Sequence, residues 1–170
     1  MVNLGFKVEG QDKLLDALDE LELTFKDFRP LFRDAAKLFY EFEKQAFETE
    51  GESSAAGDWE ELSPLYDLIK QQAFPGKTIL RRTDALFRSL TQPNARGSIR
   101  RVTDTELLIG TGIDYALYHQ TGTSRMPERP VIALTDQQQR QMATFLRRGL
   151  AEFVKRAGFL VSEVSDVELS

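Results

Sequence analysis

PLFRDAAKLFYEFEKQAFE, residues 30–48, is the stretch whose reading decides the fold. Together with the residues just ahead of it, it places Phe25, Phe28, Phe32, Ala35, Phe39, Phe42 and Ala46 three or four positions apart, which lines them up as one stripe on a helix. Pro30 disfavours helical geometry at Arg29, so the continuous helix is expected to begin near Pro30, with Phe25 and Phe28 as its approach. Each ring can bury about 150–250 Å². The stripe is therefore read as the domain core, with a helix offered to another subunit as the alternative.

Before this helix, Leu4, Phe6 and Val8 alternate with polar residues and predict a short strand; Leu14, Leu15, Leu18 and Leu21 then predict a short amphipathic helix with acidic residues opposite. After it, residues 48–58 are small and polar, giving by composition a mobile loop near 49–58. Ser63-Pro64 predicts a cap and first turn for a helix whose apolar side is Leu65, Leu68 and Ile69, closed by Pro75-Gly76. Thr83 is the expected cap of another short helix carrying Leu86, Phe87 and Leu90. Residues 98–102 and 106–109 flank Thr103-Asp104-Thr105 as a β-hairpin, and Gly110-Thr111-Gly112 is read as the end of its second strand. No Gly-Lys-Ser/Thr follows those glycines, so a phosphate loop is excluded.

A polar connection with two prolines gives a second mobile loop near 120–130. Thr135 and Gln138 then make a capping box, opening a long helix with Met142, Phe145, Leu146, Leu150, Phe153, Val154 and Ala157 on one side and Gly158 as its cap. Phe159 to Val164 predict a final strand before a polar tail at 165–170. The expected architecture is a single α+β domain over 1–170, a small antiparallel β-sheet packed against long amphipathic helices.

Composition narrows the chemistry. The chain has 170 residues, 41% hydrophobic and 29% charged, which fits one folded domain. Zero cysteines exclude disulfides, thiolate nucleophiles and Cys-based metal sites, and one histidine excludes a two-His metal motif within a chain. No apolar run reaches the roughly 18–20 residues that cross a bilayer, and the first ten residues lack a signal-peptide pattern, so a protein that stays in the cell that makes it, with no membrane partner, is expected. No cofactor, metal or catalytic residue is assigned.

His119 is the one candidate general base, with Asp114, Tyr115, Tyr118 and Ser124 near it in sequence. Such close spacing along one segment is not a triad signature, and no strained G-x-S-x-G turn exists, so His119 is expected to be a hydrogen-bonded structural residue.

The net charge of −5 hides an asymmetry. Residues 1–75 hold 8 basic and 17 acidic side chains, a balance of −9; residues 76–101 hold 7 basic ones against Asp84 alone, a balance of +6. Lys77, Arg81, Arg82, Arg88, Arg96, Arg100 and Arg101 form this basic segment. It suits nucleic acid, an acidic protein surface, including the acidic half of a neighbouring copy, or an ordinary solvated surface. With one interleaved aromatic, no base-reading motif and an acidic chain overall, nucleic acid is the weaker reading.

Four clusters, in order, carry a resemblance: Trp59-Glu-Glu-Leu-Ser-Pro-Leu-Tyr66 with Lys70; Ile79-Leu-Arg-Arg-Thr-Asp-Ala-Leu86 with Ser89; Tyr115-Ala-Leu-Tyr-His-Gln-Thr-Gly122; and Pro127-Glu-Arg-Pro-Val-Ile-Ala-Leu134. Over residues 57–134 the chain resembles the phage virion morphogenesis family, the tail-completion or neck proteins of tailed phages, including Mu-like phages. It departs from that pattern at Asp84, where glycine is usual, at Thr121, where an aromatic often stands, and at Val131, where an aromatic commonly follows Arg-Pro.

The resemblance implies a non-enzymatic virion protein acting in tail completion and head–tail joining. It implies a homo-oligomeric ring at the neck, hexameric in one arrangement, assembled in the host cytoplasm and touching the head–tail connector and a tail-terminator or tail-tube protein. The alternative is a nucleic-acid-binding module at the end of packaged DNA. Candidate inter-subunit or partner contacts are Trp59, Arg81, Arg82, Arg100, Arg101, Arg125 and Arg129, with the loop from Gly122 to Pro130 reaching an adjacent ring. Trp59 is alternatively a core anchor. Tyr115, Tyr118, His119, Gly122, Pro127 and Pro130 form the candidate structural motif.

Overall fold

The phenylalanine-rich stretch folds as helix α1, Arg29–Glu48, with Pro30 in its first turn. The computed structural model describes residues 27–156. The expected N-terminal strand and helix, Phe25, the Gly158 cap, the strand at 159–164 and the tail at 165–170 lie outside those residues.

Four further helices and one hairpin follow α1: α2 (Pro64–Ala73), α3 (Ala85–Thr91), strands β1 (Ser98–Val102) and β2 (Leu107–Thr111), α4 (Ala116–Thr121) and α5 (Asp136–Arg156). The class is α+β, as expected. The two strands pair antiparallel with Ser98 opposite Thr111 and Val102 opposite Leu107. The second strand thus runs through Gly110 and Thr111, which the sequence reading placed at its end. Hairpin and α3 both pack on α1, and α5 packs on α1 as well.

Contact on more than one side widens the buried face of α1. Ala35, Phe42 and Ala46 are buried as the stripe predicted, but so are Leu31, Ala36, Tyr40, Glu43 and Phe47, whereas Phe28, Phe32 and Phe39 stay half-buried. Phe28 is nevertheless anchored: its N–H donates to the Asp104 carbonyl (2.9 Å), and its ring meets Phe153 edge-on at 6.2 Å. The start of α1 therefore lies beside the hairpin turn and the far part of α5.

At the other end, α1 leads into the main core, which gathers Phe47, Trp59, Ile79, Leu86, Leu90, Ala116 and Val131. Gly51 makes the exit possible. Its φ is +102°, and a Cβ there would stand 2.5 Å from the Gly57 carbonyl oxygen and 2.8 Å from the Trp59 ring. The 49–58 segment is tied to its surroundings: Ala55 N–H donates to the Ala133 carbonyl (2.8 Å), Trp59 N–H to the Glu50 carbonyl (2.8 Å), and the Gln138 amide to the Ser53 carbonyl (3.2 Å).

The capping box forms as read, Thr135 N–H to Gln138 Oε1 (2.8 Å) and Gln138 N–H to Thr135 Oγ1 (3.1 Å). Two other caps differ. Ser63 holds the N-cap position of α2 without a side-chain bond, and the N-cap of α3 is Asp84, not Thr83.

Glu43 is a carboxyl on the buried face of α1, 2% exposed, with Oε2 unpartnered among the described residues. Burial raises its pKa from 4.5 to about 8. Between those values the unfolded chain releases the proton that the folded chain keeps, so stability falls as pH rises through this window. We expect a loss on the order of 3 kcal/mol by neutral pH, and a flattened pH dependence in Glu43→Gln. Urea titrations at several pH values check this; parallel curves for the two proteins would contradict it.

Candidate functional site

The four sequence clusters, far apart in the chain, close on one another through buried polar contacts. Trp59 sits edge-on to Phe47 (5.3 Å, 77°), and its indole N–H donates to the Pro130 carbonyl (3.0 Å). Arg129 is 4% exposed and donates from Nε to the Glu60 carbonyl (2.6 Å) and from Nη2 to the Glu61 carbonyl (3.0 Å). The Gln120 amide accepts from Val131 N–H and Ile132 N–H, both at 3.1 Å, and donates to the Ile132 carbonyl (3.1 Å). Lys70, also 4% exposed, reaches back to the Thr78 carbonyl (2.5 Å). Each of these side chains satisfies backbone that secondary structure leaves unpaired.

Asp84 explains its own departure from the usual glycine. Its φ is +57°, in the left-handed region where glycine carries no Cβ penalty. In exchange, its carboxylate holds Lys77 and Arg81, the latter at 3.0 Å. Burial opposes ionisation of Asp84, yet the bonds and charges of Lys77 and Arg81 keep its pKa below the usual carboxylate range. We therefore expect Asp84→Ala, which keeps the strain and loses the pairs, to be about 1 kcal/mol less stable than Asp84→Gly. Equal denaturation midpoints for the two variants would contradict this assignment.

Between these segments lies a cleft of about 820 Å³. Tyr66 and Lys70 of α2, Tyr115 and His119 beside or in α4, Leu62, Leu80, Met126 and Pro127 line it, together with Arg82, Arg125 and Arg129. His119 Nδ1 is buried there without a partner among the described residues, contrary to the hydrogen-bonded ring expected; the His119 backbone is bonded, its N–H to the Tyr115 carbonyl (3.4 Å) and its carbonyl by Arg129 N–H (2.7 Å). Its ring meets Tyr115 edge-on at 5.8 Å. Burial first, and the Arg129 charge second, depress its pKa, so the imidazole is held neutral.

The candidate contact residues separate into two groups. Trp59 and Arg129 are inside the chain, as core anchor and buried clamp. Arg81 is engaged by Asp84 and stacks 4.0 Å over the Phe87 ring, and Arg101 pairs with Glu106 across the hairpin (2.9 Å). Arg82, Arg100 and Arg125 are exposed, and none has an ion pair among the described residues. Arg82 lies 5.7 Å over the Phe74 ring. Of the motif residues, Tyr115 and Tyr118 are exposed, Pro127 lines the cleft, and the Pro130 carbonyl receives Trp59. Gly122 has φ +65° and a would-be Cβ 3.0 Å from Glu128 N.

The largest departure from expectation is α2. Leu65, Leu68 and Ile69, its apolar side, are 70%, 58% and 54% exposed, and the buried residue of this helix is Lys70. The periodicity identified the helix correctly but said nothing about what its apolar side would touch. Leu117 and Tyr118 of α4 are exposed as well, at 64% and 55%. Leu117, Lys70 and Gln120 carry no periodic signal that would have marked them.

A small α+β domain with its motif segments locked around one cleft is thus on view, and the chain belongs to the phage virion morphogenesis family, whose model matches residues 10–151. Membership points to a structural, assembly role in a phage virion rather than a catalytic one. Comparison with curated proteins and with solved structures finds no match. Among the described residues no helix is long and apolar enough to cross a membrane.

Proposed function

We propose that the protein completes the tail and joins it to the head as a ring-forming neck component, placed at the head-proximal end of the tail. The observation that carries this reading is the exposed apolar side of α2, Leu65, Leu68 and Ile69, joined by Leu117 and Tyr118 of α4. A helix that buries its lysine and presents its leucines to solvent is built to be covered by another subunit. In a ring, one surface meets a different surface of the next copy, and an acidic half with a basic segment supplies such a pair. The head–tail connector and a tail-terminator or tail-tube protein are the neighbours on either side of such a ring.

A nucleic-acid role is less well supported. A phosphate track needs successive free cations on one face. Lys77 and Arg81 are held by Asp84, and Arg101 by Glu106.

The reading is tested by reversing charges that fold stability does not use. Arg82→Glu with Arg100→Glu is expected to leave the urea midpoint unchanged, while weakening self-association roughly tenfold or more and lowering infectious yield by a similar factor. Unchanged sedimentation and unchanged yield would refute it. Arg81 is left out of this variant because its loss would also break the Asp84 pair.

A further inference from the structure

The cleft carries more positive charge than its own walls balance. Lys70 and Arg129 are both buried, and neither has a carboxylate within ion-pair distance among the described residues; each is bonded to backbone carbonyls. Arg129 uses Nε and Nη2 for those bonds, and Lys70 uses one of its three N–H groups, so donors remain. Arg82 and Arg125 line the same cleft, exposed and without ion pairs, and the His119 Nδ1 atom is left unpartnered. Buried cations are costly without a paired anion; here Asp67 and Glu50 act on Lys70, and Glu60 on Arg129, only from beyond ion-pair distance. Glu60 and Glu61 line the cleft too, with their carbonyls taken by Arg129 and their side chains exposed. Leu62, Tyr66, Tyr115 and Met126 add apolar wall.

Such a site suits a short extended peptide bearing carboxylates between aliphatic side chains. A volume of about 820 Å³ is that of a small-ligand pocket, and an α-helix about 10–12 Å across fits it poorly. The sequence holds such a peptide: VSEVSDVELS, residues 161–170, has three acids, four aliphatic residues and no base.

We infer that the cleft receives the 161–170 segment of a neighbouring copy, with its carboxylates against Lys70, Arg129 and the rim arginines Arg82 and Arg125. Geometry favours the neighbour over the same chain. Helix α5 begins seven residues after Arg129 of the cleft wall, and its far part meets the start of α1 through Phe153 and Phe28. Its 21 residues separate those ends by about 30 Å. Glu163, Asp166 and Glu168 follow Arg156 by 7, 10 and 12 residues, reaches of at most about 25, 36 and 43 Å, so a segment turned back along α5 leaves its first acid short of the helix start, whereas the segment of a neighbouring copy can bring all three acids to the cleft.

This inference rests on association between copies, as in the neck reading, and its test separates the two. The titrated protein is the full chain carrying Glu163→Gln, Asp166→Asn and Glu168→Gln, which keeps the segment of a neighbouring copy from competing for the cleft. Calorimetry uses three probes: the acetylated, amidated peptide VSEVSDVELS, its amide counterpart VSQVSNVQLS, and a ten-residue oligothymidylate. The acidic peptide is expected to bind about tenfold or more tightly than the amide one, and Arg82→Ala with Arg125→Ala should abolish that difference. Equal binding of the two peptides, no binding, or tighter binding of the oligothymidylate would overturn the inference. Sedimentation of the unaltered chain is compared with that of the triple variant. If both associate equally and the peptide does not bind, the neck reading stands and the cleft inference falls. If the unaltered chain does not associate but the peptide binds, the neck reading and the exchange between copies both fall.

Discussion

Phe47→Ala is expected to lower the unfolding free energy by about 3–5 kcal/mol, the largest effect of any single truncation on α1. Phe47 is fully buried in the last turn of that helix, and two rings meet it edge-on, Trp59 at 5.3 Å and Phe87 at 5.4 Å. Alanine removes the transfer free energy of the ring, leaves a cavity between elements from three parts of the chain, and forfeits both aromatic contacts. Phe39, at the centre of the apolar stripe, is half-buried, so Phe39→Ala should cost about 1–2 kcal/mol. Urea unfolding of the two variants ranks them, and a larger loss at Phe39 would contradict the placement of the core at the end of α1.

Arg129→Lys is expected to destabilise by about 2–4 kcal/mol although the charge is kept. The guanidinium bridges two successive carbonyls, Glu60 and Glu61, from within the core region. An ammonium is a single point that cannot reproduce the fork, and one part-buried carbonyl is left without its donor. The neighbouring bond from Trp59 to the Pro130 carbonyl should loosen with it, so the indole emission should shift to the red. Emission and unfolding midpoint both equal to those of the unaltered chain would show that the clamp does not hold the 59–61 and 127–131 segments together.

Local patterns were legible wherever their meaning is local. The capping box at Thr135 and Gln138 and the hairpin around Asp104 each fix a few backbone bonds; the box and the first strand form as expected, and the second strand runs two residues further, to Thr111. The helix at 30–48 was equally plain, because periodicity reports secondary structure directly. Which side of a helix is covered depends on the rest of the chain, and that is where the reading failed. The stripe predicts the core, but the deepest α1 residues include Phe47 and Glu43, which flank it. Leu65, Leu68 and Ile69 mark an apolar side of α2, and that side faces solvent.

The site shows the same division. The four clusters could be recognised in order, but not their closure through Arg129, Gln120 and Lys70, since bonds to distant carbonyls leave no trace in spacing. Charge balance along the chain marked a basic segment without showing that Asp84 and Glu106 engage three of its cations. Arg125, outside that segment, is one of the arginines left unpaired among the described residues.

Joining of head to tail is the role we propose for this member of the virion morphogenesis family. Electron microscopy of particles made by a phage lacking the gene tests it most directly. The account predicts filled heads and finished tails lying separate in the same lysate, restored to joined virions when the protein is supplied in trans. Normal, infectious virions in its absence would contradict the claim.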